Sequence, residues 1–127
     1  MLDVIHSAAV TERAIAMPLE GTWQNADWET DGMSRLTIQR DGDQLILQPV
    51  SARHAAYDGS ALPALAYTID VNPAIVVAFT ATYRTARSQT ILVGRLAPGM
   101  LTIDSYTHFT DDSQRADHVR HDVFVRR

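Results

Sequence analysis

Cysteine and lysine are both missing from this 127-residue sequence, and so is any long hydrophobic run. Without cysteine, the chain can form neither a disulfide nor a thiolate nucleophile. Without lysine, it offers no Schiff-base amine and no phosphate-loop lysine. The longest apolar run, residues 74–79, is far shorter than the roughly 20 residues of a membrane-spanning helix. We therefore expect no membrane partner.

Basic charge is also scarce. The formal net charge is −4, and the eleven basic residues, all arginine, are scattered rather than gathered in a stripe. Nucleic-acid-binding surfaces concentrate positive charge, so we expect no nucleic-acid partner. The sequence opens on Met1, Leu2 and Asp3 without the basic region and apolar core of a signal peptide, which favours a cytoplasmic location.

Residues 1–20 do not share the pattern of the remaining chain. Residues 7–16 have fair helix propensity, but this segment is too short to form a stable helix alone, and Pro18 ends it. We predict an N-terminal arm over residues 1–20, either one helical turn packed on the domain or a loosely ordered tail. Residues 21–127 contain no internal repeat and predict a single domain.

From residue 21 onward, apolar and polar residues alternate with the period of two that is typical of half-buried strands. Asp41-Gly42-Asp43 is a strong hairpin turn. Residues 51–65 contain Gly59 and Pro63 and predict an irregular loop lying over an open end. The predicted strands cover residues 22–25, 34–40, 44–50, 66–70, 75–83, 88–96, 100–109 and 117–126.

Eight strands joined mostly by short turns predict an all-β fold, a single antiparallel up-and-down β-barrel. Closure of the barrel removes the exposed edges that an open sheet of this length would carry. An eight-stranded barrel has room for one small ligand.

Three local motifs resemble the calycin-like avidin and streptavidin family. Residues 21–25 (Gly-Thr-Trp-Gln-Asn) resemble the opening of the first avidin strand. Residues 77–79 and 83–90 resemble the strand–turn–strand unit that carries ligand-binding Ser and Thr. Residues 121–124 (His-Asp-Val-Phe) resemble the last strand, whose Asp reaches the ligand. The resemblance implies a barrel that binds a small organic molecule and assembles as a homo-oligomer, a dimer or tetramer.

The avidin resemblance also implies a set of pocket positions, which in this sequence are Asn25, Phe79, Ser88, Thr90, Leu92, Thr107 and Asp122. Three of them, Phe79, Leu92 and Thr107, stand where the family has tryptophan. Residues 48–51 offer no counterpart of the family's third-strand Tyr and Ser. Because buried aromatic side chains supply much of such binding free energy, we do not expect biotin itself to be the ligand.

A second resemblance concerns two other motifs. Residues 23–27 (Trp-Gln-Asn-Ala-Asp) and 106–111 (Tyr-Thr-His-Phe-Thr-Asp) resemble small uncharacterised bacterial proteins that carry those motifs. This resemblance implies a similar β-fold in a bacterial protein and no known activity.

Asp122 is the leading candidate for chemistry. Alternation places it on one strand face with His118 and Arg120. An inward-pointing Asp122 would anchor a polar ligand group or act as a general base. The alternative is a carboxylate paired with a neighbouring arginine at the barrel rim.

The hydroxyl and amide candidates have alternatives as well. Ser88 and Thr90 share a face and suit hydrogen bonds to a ligand, but hydroxyls are also common at solvent-facing strand positions. Asn25 would contact the ligand, or cap the turn that follows it over residues 27–32.

Tyr106 and His108 lie on one face of a predicted strand, together with Asp104 and Thr102. This row is either an acid/base set, since histidine titrates near neutral pH, or the wet outer face of the barrel. On the second interpretation, the residues that face inward are Ile103, Ser105, Thr107 and Phe109.

No metal or cofactor is expected. His118 and His121 fall on opposite strand faces, so they cannot bind one ion without a bulge. The sequence contains no Gly-rich phosphate loop, and it contains no nucleophile elbow around Ser60.

Three functions remain open. The first is a barrel that binds a compact organic ligand between apolar walls and a few polar groups. The second is an enzyme of cyclase or isomerase type on the same barrel, with Asp122, His108 and Tyr106 as its catalytic candidates. The third is a structural or partner-binding barrel with a solid core.

Overall fold

A computed structural model describes residues 19–42, 44–51, 61–68 and 76–127. These residues form a closed barrel in which each strand pairs antiparallel with the next and the last strand pairs with the first. The predicted up-and-down barrel is thereby confirmed. The strands are β1 (Gly21–Asn25), β2 (Met33–Asp41), β3 (Gln44–Ser51), β4 (Leu62–Thr68), β5 (Val76–Arg84), β6 (Ser88–Ala97), β7 (Met100–Phe109) and β8 (His118–Arg126).

Most of the arm predicted for residues 1–20 lies outside the described residues, which begin at Leu19. Within the described ranges, no helix has the length and apolar character needed to cross a membrane.

The start of β4 corrects one predicted boundary. We predicted a strand from residue 66, but it begins at Leu62, within the segment expected to be irregular. Leu62 and Ala64 point inward and are buried, while Pro63 between them is exposed and opposes Ile46 of β3. The inward burial of Leu62 and Ala64 outweighs the local preference of proline for turns.

A bulge at the start of β5 corrects a second expectation. Strict alternation along the predicted strand 75–83 would place Val77 on the same inward face as Phe79. The register between β4 and β5 shifts at Tyr67 and Thr68, so Val76 is buried and Val77 is only half-buried. A bulge of this kind turns one side chain to the other face.

Apolar side chains fill one end of the barrel, which we call the closed end. The Trp23 indole Nε1 donates to the Leu19 carbonyl at 2.9 Å, and the Arg126 guanidinium stacks 4.3 Å from the Trp23 ring. Arg126 also donates to the Glu20 carbonyl. Across the described barrel as a whole, the largest fully buried side chains are Leu19, Trp23, Leu36, Ile38, Leu47, Pro49, Val76, Phe79, Leu92, Leu101, Ile103 and Phe124.

Gly94 shows how tightly this apolar core is packed. A Cβ atom at Gly94 would lie 2.2 Å from Cε2 of Phe79, which is impossible without movement of the ring. The missing side chain lets the Phe79 ring lie flat against the β6 backbone, so this part of the interior has no space for a ligand.

Candidate functional site

The inward-facing positions become polar toward the opposite end of the barrel, which we call the polar end. The β1–β2 loop (residues 26–32), the β5–β6 turn (85–87) and the β7–β8 loop (110–117) lie at this end. A cavity of about 220 Å³ opens here. Its lining residues are Asp31, Gly32, Met33, Ser105, Thr107, His118, Arg120 and Asp122.

An ion pair between Arg120 and Asp122 dominates the cavity. Arg120 Nε donates to Asp122 Oδ2 at 3.1 Å and to Oδ1 at 3.4 Å, and the Asp122 side chain is only 12 % exposed. The sequence left two alternatives for Asp122, an inward-pointing carboxylate or one paired with a neighbouring arginine. Asp122 combines them, because it lines the cavity and also pairs with Arg120.

Arg120 also reaches across to the β1–β2 loop. Its Nη2 donates to Thr30 Oγ1 at 2.6 Å, and its Nη1 donates to Asp31 Oδ1 at 3.2 Å. Burial disfavours the charged guanidinium, but the hydrogen bond to Asp31 and the nearby Asp122 carboxylate outweigh burial and raise the pKa of Arg120. Arg120 therefore stays charged and fastens the loop to the barrel wall.

Gly32 makes this contact sterically possible. A Cβ atom at Gly32 would lie 2.9 Å from the Arg120 Cζ atom, in the space that the guanidinium occupies. The Gly32 amide in turn donates to Thr30 Oγ1 at 3.1 Å, so Thr30 links both partners. The loop is thus shaped around the arginine.

Asn25 is committed to contacts within the protein. Its Nδ2 donates to the Met33 carbonyl at 2.9 Å and to Asp122 Oδ1 at 3.1 Å, and its Oδ1 accepts from the Asp27 amide at 2.9 Å. The side chain is 4 % exposed. These contacts match the capping alternative, and they also hold the Asp122 carboxylate in position.

The hydroxyl candidates are not equivalent. Thr90 and Thr107 hydrogen-bond to each other at 3.0 Å, and Thr107 lines the cavity while Thr90 is buried behind it. Ser88 is used at the barrel rim, where its Oγ lies 3.0 Å from Thr85 Oγ1. The Ser105 hydroxyl lines the cavity and makes no hydrogen bond to the residues that the structure describes. The Ser105 hydroxyl is therefore a hydrogen-bonding group on the cavity wall.

Phe79 and Leu92 face inward without lining the cavity, although Leu92 lies directly opposite Ser105. Both are completely buried in the apolar core. The cavity at the polar end is lined by neither of them.

Tyr106 and His108 point outward, away from Asp122. Both are exposed, and His108 Nδ1 lies 2.7 Å from Asp117 Oδ2. The structure therefore does not bring the three catalytic candidates together.

The histidine that lines the cavity is His118. Its Nδ1 donates to the Ala116 carbonyl at 3.2 Å, so in the neutral ring Nε2 is the hydrogen-bond acceptor. Among the described residues, no group of three or more His, Cys, Asp or Glu side chains could hold a metal ion.

The sequence patterns did not indicate that the β1–β2 loop forms one wall of the cavity. Asp31, Gly32 and Met33 line the cavity, and Arg120 contacts this loop across about 90 positions of sequence. Alternation did place Arg120 and Ser105 on the faces that they occupy, but it contains no information about which loop covers them.

No family model, no curated protein and no solved structure matches the chain. The resemblance to the avidin family therefore rests on its sequence motifs alone.

Proposed function

We propose that the polar end of the barrel binds a compact organic molecule. The supporting observation is the cavity in which the buried Asp122 carboxylate, the Arg120 guanidinium and the uncommitted Ser105 hydroxyl converge. A few convergent polar groups in a concave site are the usual features of a small-molecule pocket.

The volume of the cavity limits the ligand's size. At about 220 Å³, the cavity is smaller than the roughly 300–1,000 Å³ of drug-sized sites. It has room for roughly seven water molecules at about 30 Å³ each. We expect a ligand of about one ring, held by hydrogen bonds.

The charges around the cavity indicate a neutral or cationic ligand. Arg120 is compensated by two carboxylates, those of Asp31 and Asp122, so it is not an open anion site. Asp122 and His118 Nε2 offer acceptors, while Ser105 can donate or accept. Biotin, whose family uses an aromatic cage that this chain lacks, is not the expected ligand.

Binding is favoured over catalysis and over a solid barrel. Asp122 already accepts hydrogen bonds from Arg120 and from Asn25, so its carboxylate is committed to contacts within the protein. A purely structural barrel does not need a cavity lined by polar side chains, because apolar packing there would be more stable.

Three probes of matched shape test the proposal. Benzamide is neutral, benzamidine is cationic and benzoate is anionic, while all three share one ring and one planar polar group. We expect benzamide and benzamidine to shift the backbone NMR signals of Ser105 and Thr107, and benzoate to leave them unchanged. Native mass spectrometry of the purified protein, alone and with biotin, would detect a retained ligand directly.

Ser105→Leu should abolish binding of benzamide and benzamidine, because the larger apolar side chain fills the cavity and removes the hydroxyl. Thr102→Leu is the matched control, since Thr102 lies on the outward face of the same strand β7. Binding that survives Ser105→Leu, or stronger binding of benzoate than of benzamide, would refute this site.

A further inference from the structure

An exposed apolar row crosses the outer face of β6, β7 and β8. Ile91 lies directly opposite Tyr106, and Tyr106 lies directly opposite Val119. The three side chains are 41 %, 49 % and 58 % exposed. They border a groove of about 440 Å³. Contiguous apolar surface of this kind on an outer sheet face marks a contact surface.

Two histidine–carboxylate pairs flank the row, one on each side. Asp104 Oδ1 lies 2.5 Å from His121 Nδ1, and His108 Nδ1 lies 2.7 Å from Asp117 Oδ2. On β7 the order along the strand is Asp, Tyr, His, and from residue 117 into the antiparallel β8 it is Asp, Val, His. The two carboxylates therefore sit on one diagonal of the face and the two histidines on the other.

We propose that this face binds a second copy of the chain across a two-fold axis that runs along the apolar row. Such a rotation places Ile91, Tyr106 and Val119 over the same residues of the partner. It also exchanges the two sides of the row, so Asp104 lies over the partner's His108, and His121 lies over the partner's Asp117. The dimer contains four such carboxylates, two from each copy, and each of them then faces a histidine of the other copy.

This charge pattern selects a second copy as the occupant. A face that matches itself under a two-fold rotation is the requirement for a closed homodimer, whereas an unrelated partner would need only complementarity to its own surface. Carboxylates facing carboxylates would oppose self-association, whereas a protonated imidazole, which donates from both ring nitrogens, can pair with one carboxylate of each copy.

The size of the face sets the expected affinity. Strands of nine or ten residues that rise about 3.3 Å per residue and lie about 4.8 Å apart give three strands a face of roughly 30 Å by 14 Å. That is roughly 400 Å², compared with the about 800 Å² per partner of a stable interface. We therefore expect a weak dimer, visible at micromolar or higher protein concentration.

Analytical ultracentrifugation over a range of concentrations tests the surface. Wild-type protein should move from monomer to dimer as its concentration rises. Val119→Arg should raise the dissociation constant at least about tenfold, because it places a charge within the apolar row. Leu65→Arg is the matched control, since Leu65 is 67 % exposed on β4, away from this face. Thermal unfolding curves show whether both variants fold. If Val119→Arg does not fold, Ile91→Arg is used in its place.

A charge exchange tests the two-fold pattern itself. One variant carries Asp104→Arg with Asp117→Arg, and the other carries His108→Asp with His121→Asp. Neither should self-associate, but an equimolar mixture should form a heterodimer. A wild-type monomer at all concentrations, loss of dimer in Leu65→Arg but not Val119→Arg, or a mixture that stays monomeric would each overturn the proposal.

Discussion

At the scale of single residues, Asn25 holds the cavity residue Asp122 in position without itself lining the cavity. Its amide satisfies the Met33 carbonyl, the Asp27 amide and the Asp122 carboxylate at once. A buried polar atom without a partner is costly, so the removal of one such side chain affects three groups. Asn25 is in this sense a positioning residue for the carboxylate.

Asn25→Ala should therefore lower the free energy of unfolding by about 1–3 kcal/mol, since it leaves buried polar groups unpaired. Urea denaturation measures the change. Gln24→Ala, at the exposed neighbouring position of β1, should change stability by less than about 0.5 kcal/mol. Equal effects of the two substitutions would contradict the bridging role of Asn25.

At the scale of elements, the β7–β8 loop is held by acceptor carboxylates rather than by burial. Asp117 accepts from His108 and from the Phe109 amide at 2.9 Å, and Asp111 accepts from the Ser113 amide and from Arg115. The hydrogen bond from His108 is the main cause of the lowered pKa of Asp117, and the hydrogen bond from the Ser113 side chain is the main cause of the lowered pKa of Asp111. The part of the loop's stability that these hydrogen bonds supply is present only while the two carboxylates are ionised.

The direction of the pH dependence follows from these lowered pKa values. Because the folded state binds the Asp117 proton more weakly than the unfolded state, this stabilisation is fully present above the ordinary Asp pKa of about 3.9 and is lost as the pH falls through the lower folded value. Urea titrations from neutral to acidic pH should show wild type more stable than Asp117→Asn, with the difference shrinking below about pH 4.

The control for this prediction is Asp112→Asn, whose carboxylate makes no hydrogen bond to the described part of the chain. It should leave the pH profile close to that of wild type. A difference between wild type and Asp117→Asn that persists unchanged into acid would show that another group carries the effect. Dilute samples keep the measurement below the concentration at which dimers form.

At the scale of the whole molecule, the described part of the barrel has a tightly packed apolar core and a polar end that contains the cavity. Phe79 and Gly94 belong to the first, while Ser105, Arg120 and Asp122 belong to the second. The proposed binding site thus lies apart from the tightest packing around Phe79, so substitutions at the two places should have different consequences.

Gly94→Ala and Ser105→Ala test this division. A Cβ atom at Gly94 collides with the Phe79 ring, so Gly94→Ala should cost about 1–3 kcal/mol or more of unfolding free energy. Ser105→Ala should cost less than about 0.5 kcal/mol, since its hydroxyl makes no described hydrogen bond. Combining Gly94→Ala with Phe79→Leu should cost less than the sum of the single changes. Additive costs would show that the ring contact is not the cause.

The amino-acid sequence by itself determined the strands and the barrel. Its period of two and its hairpin turns are local signals, and seven of the eight strands lie within one or two residues of their predicted bounds. The side chains of β8 followed the same rule, since alternation places His118, Arg120 and Asp122 on one face.

Only the tertiary structure decided which distant groups meet. Local periodicity does not specify how a strand is bulged against its neighbour, so Val76 rather than Val77 is buried. Nor does it specify contacts across the barrel, so the pairing of Arg120 with Thr30 and Asp31 emerges only when β8 closes against β1. The physical reason is that closure joins residues far apart in sequence, and no local pattern encodes that proximity.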